Sequence, residues 1–193
     1  MKRILSLFTI GFLFVSMLTG CSLKELSSTD VSTDVSQYGK SNYLDIRSPL
    51  LVFPKTIPKN AKANGYYYSQ TLLPFGGANY QIFLNITLPN DEYKSEVDRL
   101  SNIKKGTKVE MYDGKPTLKD IKLDKSQFIY PAYVAMLGYD GTSEYALLND
   151  KEHKIIYVFI QIVYKKDIKF DKKYIPRGYK SVGDCNESYN IYP

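Results

Sequence analysis

The segment Ile155 to Tyr164 (IIYVFIQIVY) constrains the fold most, because its apolar residues occupy both sides of any extended chain. At a period of two, Ile156, Val158, Ile160 and Ile162 face one way, and Ile155, Tyr157, Phe159 and Val163 the other. Such a strand is stable only within a sheet covered on both faces, so a central strand is predicted here. Tyr145 to Leu148 lies just upstream, across Asn149-Asp150-Lys151-Glu152-His153, and the pair reads as a hairpin with a five-residue polar loop.

A second strand is predicted from Tyr80 to Leu88, where Tyr80, Ile82, Leu84, Ile86 and Leu88 share one face while Gln81, Phe83, Asn85 and Thr87 share the other. After Pro89 the period changes. Tyr93, Val97, Leu100 and Ile103 recur at helical spacing, Asn90 is placed to cap, Asp91 and Glu92 suit the positive end of the helix dipole, and Gly106 closes the element. Further strand signals lie at Leu50–Phe53 (a short edge strand closed by Pro54), from Tyr66-Tyr67-Tyr68 to before Pro74, weakly at Lys108–Tyr112, and more strongly at Phe128–Leu137 with Pro131 as an interruption. Gly76-Gly77, Asp113-Gly114 and Asp140-Gly141 mark turns. Eighteen Tyr and no Trp, with many Ile, Val and Thr, favour strands. The predicted fold class is α+β: an antiparallel sheet with one amphipathic helix on a face. An all-β sandwich with a connecting helix is the alternative.

The N-terminus carries a different signal. Met1-Lys2-Arg3 is positive, and the 14 residues Ile4 to Met17 are apolar apart from Ser, Thr and Gly. That is the pattern of a signal peptide and falls short of the ~20 apolar residues needed to span a bilayer. Leu18-Thr19-Gly20-Cys21 follows directly and resembles the lipobox of bacterial lipoproteins: an aliphatic residue, two small residues and a cysteine. The resemblance implies cleavage by signal peptidase II between Gly20 and Cys21, with Leu18, Thr19 and Gly20 as its recognition residues. It also implies a covalent diacylglycerol on the Cys21 thiol. Multiple acyl chains, at ~0.8 kcal/mol per buried CH₂, make such an anchor firm. The implied location is the outer face of a membrane.

The expected organisation is a leader over 1–20, the lipidated cysteine and a disordered tether over 21–46, and a single α+β domain over 47–193. Ser, Thr and Asp dominate residues 22–46, including the near-repeat Ser28-Thr29-Asp30-Val31 and Ser32-Thr33-Asp34-Val35. A coil of that length holds a domain roughly 25–30 Å from its anchor. A 44% hydrophobic fraction with 24% charged residues fits a packed domain in the remainder.

The formal net charge is +6, of which Lys2 and Arg3 belong to the leader, leaving +4. Lys165, Lys166, Lys169, Lys172, Lys173, Arg177 and Lys180 concentrate positive charge against Asp167 and Asp171 alone, interleaved with Phe170, Tyr174 and Tyr179. The stretch beyond Tyr164 has no apolar period and is expected to be irregular. In an exported domain its natural counterparts are anionic lipid headgroups or anionic cell-wall polymers; nucleic acid is out of reach. The tyrosines offer an apolar face with a polar tip, suited to stacking on sugars or peptides and equally to half-buried strand positions.

Chemical constellations are sparse. His153, the single histidine, lies in the predicted hairpin loop, and nothing in the sequence brings Cys185 to it. With Cys21 lipidated, Cys185 has no disulfide partner. One imidazole and one thiol do not make a zinc site, and Asp140, Glu144 and Asp150 lack the spacing of a calcium loop, so no metal or other cofactor is expected. Gly76-Gly77 fits no phosphate-binding glycine pattern. Paired carboxylates, Asp184 with Glu187 or Asp140 with Glu144, leave hydrolysis open, though solvated surface positions are the expectation.

The sequence therefore predicts a membrane-anchored, extracytoplasmic lipoprotein with a non-enzymatic binding or structural domain at the cell envelope. A carboxylate-dependent envelope hydrolase and a substrate-capture accessory of a transporter are the alternatives. The chain's length argues against the last, since capture proteins usually have two lobes.

Overall fold

The computed structural model describes residues 29–39, 50–72, 78–103, 125–139, 142–177 and 179, with backbone alone at 125 and 136–139. The leader, Cys21 and Cys185, Lys108–Tyr112, Gly106, Asp140 and Lys180 lie outside them, as does the Asp184/Glu187 pair. Six strands form one antiparallel sheet: β1 (Thr29–Ser32), β2 (Lys62–Leu72), β3 (Ala78–Thr87), β4 (Ala132–Tyr139), β5 (Thr142–Asn149) and β6 (Lys154–Gln161). Their spatial order is β1-β2-β3-β6-β5-β4, with every pair antiparallel. Two three-stranded meanders thus join where β6 returns to pair with β3. Among the described residues there is one α-helix, α1 (Asn90–Asn102), so the α+β class holds.

The doubly apolar segment is indeed central, with β3 on one side of β6 and β5 on the other. On the first face Ile155, Tyr157 and Phe159 pack with Tyr80, Ile82, Leu84, Ile86 and Leu88. α1 covers this face through Tyr93 and Leu100, with Val97 and Ile103 partly buried beside them. On the second face Ile156, Val158 and Ile160 pack with Phe83, Tyr145 and Leu147 beneath Ile168, Ile175 and Tyr179. At about 1.5–3 kcal/mol for each fully buried large aliphatic or aromatic side chain, these two clusters hold the sheet from both sides.

The alternation ends one residue early. Ile162 has φ 52°, so the chain leaves the sheet after Gln161, and Val163 falls on the second face with Ile156, Val158 and Ile160. The sequence pattern had assigned Ile162 to that face and Val163 to the first.

Several expectations are corrected. Residues 29–39, assigned by composition to the tether, are ordered: β1 pairs in register with β2, and Asp34 caps a 3₁₀ turn over Val35–Gln37 by accepting from the Ser36 amide at 2.9 Å. An edge strand needs only backbone pairing, and the exposed side chains of Thr29, Asp30 and Val31 suit a solvated edge. The ordered body therefore begins well before residue 47. Leu50–Phe53 is not a strand; its amides bond to a carboxylate side chain, described below. Pro89, not Asn90, takes the cap position of α1, its carbonyl accepting from Tyr93 at 2.8 Å. Pro131 sits before β4 rather than inside a strand. The β5–β6 loop is four residues, since Asn149 pairs with Lys154.

Candidate functional site

The β-register assembles a polar patch on the second face of the sheet at its β1 end. One row across the strands is Thr29, Thr71 and Asn79; the next is Val31, Ser69 and Gln81. Residues two apart on a strand share a face, so these six side chains form a single floor. β3 loses its β6 neighbour here, because Gln161 pairs with Tyr80 and the chain turns away at Ile162. Val163 to Lys169 then crosses the open floor. Gln81 fastens it with both ends of its amide: Nε2 donates to the Asp167 carbonyl at 3.1 Å and Oε1 accepts from the Lys169 amide at 3.0 Å.

Between floor and crossing segment lies a groove of about 300 Å³, at the lower end of small-ligand sites. Tyr67, Val163, Tyr164, Asp167 and Lys169 complete its lining. Asn79 Oδ1 is buried there without a hydrogen-bond partner. Val31, at 52% exposure, and Tyr164, at 43%, are open to solvent.

The basic residues sit on the continuation of this same segment. Lys165 and Lys166 occupy one 3₁₀ turn (Lys165–Asp167), and Lys172 and Lys173 another (Lys172–Tyr174). These four, with Lys169 and Arg177, are all exposed. The stretch expected to be irregular is pinned by its aromatic and aliphatic residues. Phe170 stacks on Phe83 at 4.8 Å, Tyr174 lies 5.6 Å from the same ring, and buried Tyr179 donates to the Val163 carbonyl at 2.8 Å. Inward aromatics leave the cations outward. Lys173 pairs with Asp171 at 2.6 Å, which holds that carboxyl below its usual range, and Lys166 lies over the Tyr164 ring.

Glu144 on β5 is fully buried under Leu50–Phe53, not solvated as the sequence led one to expect. Its Oε1 accepts from the amides of Leu51 at 2.6 Å and Val52 at 2.8 Å, while Oε2 is buried and unpartnered. Burial pushes its pKa up to about 7, opposed by these amide bonds and by Arg99. Arg99 on α1 reaches over the same segment, donating to the Val52 carbonyl at 2.5 Å and to Glu96 Oε1 at 2.6 Å, and Tyr157 donates to that Glu96 oxygen at 2.6 Å. A carboxylate hydrolase needs two carboxyl groups open to substrate. Glu144 is enclosed and engaged with backbone, so the arrangement clamps a loop.

His153 is half-buried, stacked 5.3 Å from the Tyr93 ring, with its carbonyl accepting from the Leu88 amide at 3.0 Å. It ties the β5–β6 loop to α1. Among the described residues no group of His, Cys, Asp and Glu could hold a metal ion, and no helix is long and apolar enough to cross a membrane. The groove was missed in the sequence because its floor takes one or two polar residues from each of three strands; the only trace was polar spacing at Ser69, Thr71, Asn79 and Gln81.

No protein-family model, curated protein or solved structure matches the chain.

Proposed function

We propose that the chain is a lipoprotein, attached through a diacylglycerol on Cys21 to the outer face of a membrane, whose α+β body is a non-enzymatic binding module docked by its basic segment on anionic lipid headgroups. One observation carries the docking: Thr29, the first residue that the structure describes, lines the same groove as Lys169. Thr29 follows Cys21 by eight residues, a reach of at most about 26–29 Å even when fully extended. A lipid on Cys21 therefore holds the basic segment near the bilayer surface. Each basic residue there adds about 1 kcal/mol, screened within a Debye length of ~8 Å at physiological salt.

The test has two arms on the full-length protein. Cys21→Ser abolishes lipid labelling and membrane retention; a variant that is still labelled overturns the anchor. Reversing Lys165, Lys166 and Lys172 to Glu in the Cys21→Ser background weakens co-sedimentation with phosphatidylglycerol-containing vesicles at low salt. Equal sedimentation of variant and parent overturns the docking.

A further inference from the structure

We propose that the groove between the β1–β3 floor and the Val163–Lys169 crossing binds a saccharide ring. The inference is independent of the membrane attachment and stands or falls on the groove alone.

The chemistry of the lining selects the ligand. Asn79 Oδ1 is a buried acceptor without a donor, and a buried polar atom left unpaired is unfavourable until something donates to it. A hydroxyl supplies the missing proton; an ionised carboxylate or a phosphodiester has none to give, and a phosphate monoester brings a charge that the lining does not match. The Thr29 and Thr71 hydroxyls bond each other at 3.3 Å, which leaves one proton and spare acceptor lone pairs between them, and the Ser69 hydroxyl lies in the next row, a mixed set of donors and acceptors that matches the hydroxyls of a sugar. Tyr164 adds an exposed ring to the lining, the amphipathic surface on which the C–H face of a sugar packs. Lys169 and Asp167 are of opposite sign, so the lining favours a neutral ligand. The floor is preorganised: its side chains stand on three hydrogen-bonded strands, and Gln81 holds the wall at two points, so little ordering is needed on binding. An extended peptide also carries N–H donors, but it needs an open strand edge or side-chain pockets, and the groove is walled across the sheet face instead.

The ring has two sources, a free glycan or the headgroup of a glycolipid, and both present the same hydroxyls. Saturation-transfer-difference NMR on the detergent-solubilised full-length protein, with maltose, cellobiose and N,N′-diacetylchitobiose, tests the free source. Vesicles of phosphatidylcholine with and without diglucosyl diacylglycerol test the membrane source. Trialanine and inorganic phosphate are the controls. Saturation transfer to at least one disaccharide, or binding that requires the glycolipid, is expected, weakened about tenfold or more by Asn79→Leu and by Tyr164→Ala. Tyr164 is exposed, so its variant retains the fold even if Asn79→Leu does not. No transfer and no glycolipid dependence, selective binding of trialanine or phosphate, or sugar binding unchanged in Tyr164→Ala and folded Asn79→Leu overturns the proposal.

Discussion

The Glu144 carboxylate holds the Val52 amide at 2.8 Å across 92 residues of sequence, and Arg99 holds the carbonyl of the same residue at 2.5 Å. The two peptide units that flank Val52 are thereby gripped, one from β5 and the next from α1. The Leu50–Phe53 segment stays on the first face of the sheet without joining a ladder, its amides satisfied by a side chain where a strand would use a neighbour's carbonyls.

Burial of the Glu144 carboxyl, only partly offset by this grip, makes stability depend on pH. The Glu144 carboxyl titrates at about 7 in the folded protein, against 4.5 unfolded. The folded state therefore binds more protons between those values, and stability falls as pH rises through them. The contribution is fully present below the unfolded pKa and is lost by about pH 8, with a size on the order of 3 kcal/mol. Glu144→Gln keeps an acceptor for Leu51 and Val52 and removes the ionisation. Urea unfolding across this range should give a flatter profile for the variant, which overtakes the parent on the alkaline side. Parallel profiles contradict the account.

Tyr157 completes the network above this segment. Its hydroxyl, whose ionisation is pushed far above the ordinary tyrosine range chiefly by burial, donates to Glu96 Oε1 at 2.6 Å. Tyr157→Phe leaves the ring against Phe53 and removes one hydrogen bond to a charged acceptor, a loss of about 1.5–3 kcal/mol. The same change at exposed Tyr164 should shift the denaturation midpoint hardly at all. Equal effects at the two sites would mean that the Glu96 bond contributes nothing.

The parts of this fold that were legible in the sequence are those where burial dictates the pattern. Ile155–Ile160 is apolar without interruption because both faces of the sheet are covered there, Tyr80–Leu88 alternates because one of its faces carries an unbroken apolar row, and Tyr93, Val97, Leu100 and Ile103 mark the helix because only one stripe of it meets the core. β1 left no such trace: Thr29, Asp30 and Val31 are exposed, and backbone pairing has no hydrophobic signature. Leu50–Phe53 misled for the opposite reason, being apolar and buried yet bonded to Glu144 in place of a strand. The groove floor was invisible because it exists only once β1, β2 and β3 are in register. A basic run that looked irregular is fixed by Ile168, Ile175 and Tyr179, three anchors too widely spaced to set a period.

Ile162 tests where the central strand ends. A β-branched residue at φ 52° sits in the left-handed region, which disfavours it by roughly 1–2 kcal/mol. Ile162→Gly relieves that strain while giving up only partly buried surface, so stability should change by less than about 1 kcal/mol. Ile160→Gly, two residues upstream at a fully buried position within the ladder, should cost about 4 kcal/mol or more. Comparable losses at both positions, measured by chemical denaturation, would place Ile162 inside the strand after all.

Gln81 controls the wall of the groove. Its amide makes both of the hydrogen bonds that fasten Asp167 and Lys169 to β3, and it is itself buried. Gln81→Leu preserves volume on the sheet but leaves the Lys169 amide and the Asp167 carbonyl without that partner. The crossing segment should then open locally at a cost lower by about 1–3 kcal/mol, the worth of a buried polar pairing, while Ile168 and Val163 still hold its apolar side. Lys165, Lys166 and Lys169 lie in this segment and are exposed, so limited trypsin digestion reads the opening directly. When opening is fast relative to cleavage, the rate follows the open population, and cutting at these lysines should accelerate about fivefold or more while cleavage at Lys94 on α1 keeps its parental rate. Unchanged digestion at all of these sites would show that the apolar anchors alone fix the wall.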